Sequence, residues 1–148
     1  MGYNTRVTGE IQIMPPITYR EMQVMGLKKT DIPYANANLY YLLRDRNYAD
    51  VAVRVELQQR DTDEGVLTAV AGVAIVPAWE DEFKAYTIEE DLRAIVTALN
   101  KVSPGVARTF HGRLDGEGEE NTDMWRLKVV NGEVKIFHAT IVWDEESA

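Results

Sequence analysis

Asn131-Gly132 limits what this chain can fold into more than any other pair of residues. Both residues tolerate positive φ, which a two-residue type I′ turn requires, and Asn-Gly between apolar runs is the strongest short hairpin signal. Such a turn also fixes register. With strands at Met124 to Val130 and Glu133 to Trp143, Val129 faces Val134, Leu127 faces Ile136 and Trp125 faces His138. One hairpin face is then apolar, with Trp125, Leu127, Val129, Val134, Ile136 and Val142. The other carries Arg126, Lys128 and Lys135 but also Phe137, Ile141 and Trp143, so part of it is expected to pack against another element or subunit.

Period-two alternation recurs upstream. Tyr3, Thr5, Val7, Gly9, Ile11 and Ile13 share one face of a half-buried strand that Pro15-Pro16 is expected to end. Thr18 and Glu21 have capping-box spacing, which predicts a short helix near 18–25, stopped at Gly26. Leu39, Leu42 and Leu43 suggest a second short helix near 36–46, in a Tyr-rich segment (Tyr34, Tyr40, Tyr41, Tyr48) that either covers an edge of the core or forms a contact surface. Asp50 to Gln59 and Val66 to Val76 read as a hairpin across Asp61 to Gly65. Thr87 and Glu90 repeat the capping-box spacing. Ile88, Leu92, Ile95, Val96 and Leu99 then form one apolar stripe, the clearest helix, over about 87–100. Val106 to Leu114 reads as a strand, with His111 and Arg113 on its polar face and His138, across from Trp125, as a half-buried strand residue. Strands on either side of one main helix predict an α+β fold: a largely antiparallel sheet of about six strands in a single domain, 1–148.

Several function classes are disfavoured. The chain has no cysteine, so thiolate zinc sites, Fe–S clusters and cysteine nucleophiles drop out. Net charge is −8 with scattered Lys and Arg, so nucleic-acid binding, which needs clustered cations, is not expected. No apolar run is long enough for a membrane span, and the first residues lack the pattern of a secretory signal. A cytoplasmic protein without membrane or cofactor is the expectation, since no glycine-rich phosphate loop occurs either. Ser103 beside Pro104 and Ser147 near the end do not suit a Ser-His-Asp triad.

Two acidic-aromatic runs remain as candidate binding surface. The first contains Trp79, Glu80, Asp81, Glu82 and Tyr86; the second contains Glu117, Glu119, Glu120, Asp123 and Arg126. In the first, Trp79, Phe83 and Tyr86 either anchor the connection to the core while the acids face water, or form a patch for a basic or amphipathic partner. The second is expected to be a solvated connection from Gly116 to Asp123. Counted as calcium loops from Asp115 or Asp61, neither acidic stretch places Gly and Glu where an EF-hand needs them. Paired carboxylates could also serve a hydrolase, provided an enclosing cleft separates their pKa values.

Gly2 to Gly9 with Pro15-Pro16, Val76 to Tyr86, Gly118 to Leu127 and Ile141-Val142-Trp143 together resemble a family of small actinobacterial and actinophage proteins of unknown function. The resemblance implies a cytoplasmic bacterial or phage origin and carries over no catalytic residues. Three readings follow: a non-enzymatic, phage-encoded acidic protein that modulates a host protein by direct contact; an oligomeric binder that sequesters a nucleotide signal; and a carboxylate-dependent hydrolase.

Overall fold

The computed structural model describes residues 4–29, 39–120, 123–140 and 142. Its elements are β1 (Thr5–Thr18), α1 (Tyr19–Met25), β2 (Lys28–Lys29), β3 (Leu39–Tyr41), β4 (Val51–Thr62), β5 (Gly65–Pro77), α2 (Ile88–Val102), β6 (Thr109–Gly118), β7 (Met124–Val130) and β8 (Glu133–His138). The fold is α+β. The strands form one sheet in the order β2-β3-β4-β5-β1-β6-β7-β8, every neighbouring pair antiparallel. The main core lies between the sheet and α2, where Ile11, Ile13, Val53, Ile75, Leu114 and Leu127 meet Leu92, Ile95 and Leu99. A smaller cluster joins Leu39, Tyr41, Ala52 and Ala78, with Trp79 packed against it.

The β7–β8 hairpin has the register that a two-residue turn dictates. Val129 pairs with Val134, Leu127 with Ile136 and Trp125 with His138, and Asn131 and Gly132 have φ of 52° and 80°. Its second strand ends at His138, short of the expected Trp143, and His138 is exposed instead of half-buried.

Among the described residues the sheet has eight strands, not about six. Of the additional strands β2 and β3, β3 lies inside the segment where a helix near 36–46 was expected and replaces it; positions 36–38 of that range lie outside the described residues. Leu39 and Tyr41 are buried in the small cluster while Tyr40 packs on the main core, a two-residue period that a helix cannot satisfy. Arg44, at φ 57°, then turns the chain away from helical geometry.

Pro15-Pro16 does not end β1. The pairing with β6 finishes at Met14 opposite Thr109, and the pairing with β5 shifts register between Gln12 and Ile17. The prolines therefore occupy the irregular stretch where no ladder needs their missing N–H. β6 in turn runs four residues past the expected Leu114, to Gly118.

The Thr18–Glu21 capping box forms as the spacing predicts. Glu21 N donates to Thr18 Oγ1 at 3.1 Å, and Thr18 N donates to Glu21 Oε1 at 2.9 Å. The carboxylate has further donors: Arg108 Nη2 at 2.6 Å and the Ser103 hydroxyl. Burial alone would push this carboxyl up, but the bonds from Arg108, Ser103 and Thr18 outweigh it and hold the pKa at about 2, below the ordinary 4.5. A depressed folded-state value contributes stability that is complete above the unfolded pKa and disappears as pH falls through the folded one. The wild type should thus lose on the order of 3 kcal/mol more than Glu21→Gln between the two pKa values. Urea midpoints for both chains across that acid range check this; parallel curves would refute it.

Candidate functional site

β1 brings the two acidic runs together. On one side its first residues pair with β6: Thr5 with Gly118, Arg6 with Glu117 and Thr8 with Asp115. On the other side β5 has already ended at Pro77, and the chain beyond it curls back so that Phe83 takes the vacant place. Thr5 N donates to Phe83 O at 2.8 Å, and Phe83 N donates to Thr5 O at 3.0 Å. One residue of β1 is therefore flanked by both runs. Side chains reinforce the junction: Arg6 lies 3.8 Å from Glu82, and Asn4 N donates to Glu119 Oε1 at 3.0 Å.

The ten sequence-predicted residues divide around this junction. Glu82, Glu117 and Glu119 sit at it, and Glu80 and Asp81 are exposed on the same loop. Glu120 and Asp123 shape the end of the β6–β7 turn, where Asp123 N donates to Glu120 O and Gly118 N to Asp123 O. The connection is shorter than expected, because Asp115 to Gly118 are strand. Arg126 pairs with Asp115 at 3.1 Å. With Arg6, Glu117, Met124, Phe137 and His138 it lines a cleft of about 530 Å³. Trp79 and Tyr86 border a separate groove of about 310 Å³ with Tyr48 and Phe83. Trp79 and Phe83 pack against the core and anchor the loop, and Tyr86 is exposed.

A buried polar network that the sequence reading missed holds the first run in place. Asp91, 3% exposed, accepts from Arg44 Nη2 at 2.5 Å, from Arg46 Nη2, and from Asp50 N at 2.8 Å. Asp50, 2% exposed, grips both ends of the acidic loop. Its carbonyl accepts from Ala78 N at 3.0 Å, and its carboxylate accepts from Thr87 N at 3.0 Å and Thr87 Oγ1 at 3.1 Å. Burial pushes the Asp50 carboxyl above its usual range. Engaged in this way, Thr87 makes no side-chain capping bond, so the expected capping box with Glu90 does not form. One sequence signal could have exposed the network. Asp91 falls within the apolar stripe of α2, between Ile88 and Leu92, where a carboxylate needs buried partners.

Chemically, the junction offers exposed carboxylates beside a few arginines that are already ion-paired. Among the described residues no group of three or more His, Asp or Glu side chains is arranged to hold a metal ion, and no helix is long and apolar enough to cross a membrane. A family of unknown function, DUF6205, matches residues 1–148. The chain belongs to DUF6205. For this DUF6205 chain, no curated protein and no solved structure matches.

Proposed function

We propose that this DUF6205 chain is a non-enzymatic binding protein, encoded by a phage, that modulates a host protein by direct contact at the end of the sheet where the acidic runs meet. The pairing of Thr5 with both Phe83 and Gly118 carries this reading, because it turns two separate acidic stretches into one surface. The partner presents a basic segment, since exposed Glu80, Asp81 and Glu117 lie at this end of a chain with net charge −8. Complementary charge speeds encounter and selects partners more than it adds raw affinity. Phage origin rests on the resemblance of the sequence runs named above.

A calorimetric titration with a Lys/Arg-rich peptide tests it. Combining Glu80→Gln, Asp81→Asn and Glu117→Gln should weaken binding about tenfold, or about 1.4 kcal/mol. A control with the same charge change at the opposite end of the sheet (Asp61→Asn, Asp63→Asn, Glu64→Gln) should bind as the wild type does. Equal losses in both variants would reduce the surface to bulk charge and sink the reading.

The cleft of about 530 Å³ favours a second reading, an oligomeric binder of a nucleotide signal, because Arg6 and Arg126 line it. Those arginines already face Glu82 and Asp115, and Asp115 and Glu117 would repel a phosphate, so the first reading is preferred. Thermal-shift measurements with nucleoside di- and triphosphates distinguish the two.

A further inference from the structure

The sheet has two edges, and they differ. β2 is two residues long and both are lysines, the usual protection against strand addition. β8 is six residues long, Glu-Val-Lys-Ile-Phe-His, and among the described residues no strand pairs with its outer side. The hairpin register settles which groups point outward. Ala139 N donates to Met124 O at 2.9 Å, and hydrogen-bonded pairs alternate along an antiparallel ladder. Residues 133, 135, 137 and 139 therefore face β7, and Val134, Ile136 and His138 direct their N–H and C=O groups to the open side.

We infer that this edge pairs with the β8 edge of a second copy, antiparallel and two-fold symmetric about Ile136. A two-fold axis perpendicular to the sheet keeps each side chain on its own face, so opposed residues must both be even or both be odd in number. Registers centred between residues are excluded on that ground. Centring on Lys135 would set two lysines directly opposite each other, which is destabilising. Centring on Ile136 places Ile136 against Ile136, Val134 against His138, and Lys135 against Phe137, whose ring can take the cation on its face. The three outward-directed residues then all lie in hydrogen-bonded pairs. Charge permits it as well: Glu133 and Lys135 pair at 3.1 Å, so the strand is locally neutral in a chain of net charge −8. One strand pairing is small among specific interfaces, so the dimer is concentration-dependent and not obligate.

The chain has no cysteine, which makes the test direct. In this register the two Ile136 Cα atoms stand about 5.5 Å apart, within the range a disulfide spans. Ile136→Cys with oxidised glutathione should give a covalent dimer well ahead of a Val66→Cys control at the exposed far hairpin. Sedimentation of the wild type from low micromolar to near-millimolar concentration should show mass rising toward twice the monomer. Ile136→Pro deletes an outward N–H without removing a β7–β8 bond and should abolish the rise; His138→Pro serves the same purpose if the first variant is unfolded. A wild type that stays monomeric throughout overturns the proposal. So does a dimer that survives both prolines, or a Lys135→Cys chain that cross-links faster than Ile136→Cys.

Discussion

Asp91→Ala is expected to lower the unfolding free energy by about 3–5 kcal/mol, the cost of removing one partner from a buried ion pair. The groups left behind differ in what they lose. Arg44 is partly exposed and can turn to water, but the Arg46 side chain is 22% exposed and Asp50 N is buried. Arg46 Nε already lacks a partner among the described residues, so that side chain has little room to compensate. Asp91→Asn keeps an acceptor for Asp50 N and should cost less than Ala. Urea unfolding of the three chains measures this. Because Asp50 holds Ala78 and Thr87, amide exchange across residues 79–86 should also speed up in Asp91→Ala. A loss below about 1 kcal/mol would mean that Asp91 is no stronger than a surface ion pair.

What could be read in the sequence was local. The Asn131-Gly132 register and the Thr18–Glu21 box need only residues within a turn of each other, and both formed. Thr87 and Glu90 have the same spacing, but Asp50, from a different part of the chain, takes the Thr87 hydroxyl. Leu39, Leu42 and Leu43 fit a helix equally well until Tyr41 and Ala52 supply a second cluster to bury against. Asp115-Gly116-Glu117-Gly118 has the composition of a loop but alternates as a strand does. Gly116 is buried under the Trp125 ring, where a Cβ would come within 2.0 Å of it, while Glu117 on the other face is exposed. For the site, the acidic and aromatic content of each run was visible in the sequence. Their meeting was not, since it depends on which strand ends where: β5 stops at Pro77, and only that vacancy lets Phe83 reach Thr5.

Gly9→Ala is expected to cost about 3 kcal/mol, from backbone strain and overpacking together. Gly9 has φ +97°, and a Cβ there would lie 2.3 Å from the Arg113 carbonyl oxygen. Gly112 mirrors it across the ladder, at φ +101°, with its Cβ position 2.4 Å from the Glu10 carbonyl oxygen. Both obstacles are backbone, so no side-chain rotation relieves them, and β1 and β6 would have to separate. The change should also reach the site. Gly9 lies between Ile11, which still faces Ile75 of β5, and Thr5, which faces Phe83 instead. Loss of the close approach at Gly9 should therefore raise exchange at the Thr5 and Phe83 amides and weaken the basic peptide, although no acid has been touched. Gly112→Ala should behave alike, and the double variant should cost clearly less than the sum, because both disturb one strand contact. Calorimetric unfolding of the three variants, with the peptide titration repeated on each, tests the coupling. Full peptide affinity in a destabilised Gly9→Ala chain would show that the acidic surface does not depend on how β1 is held.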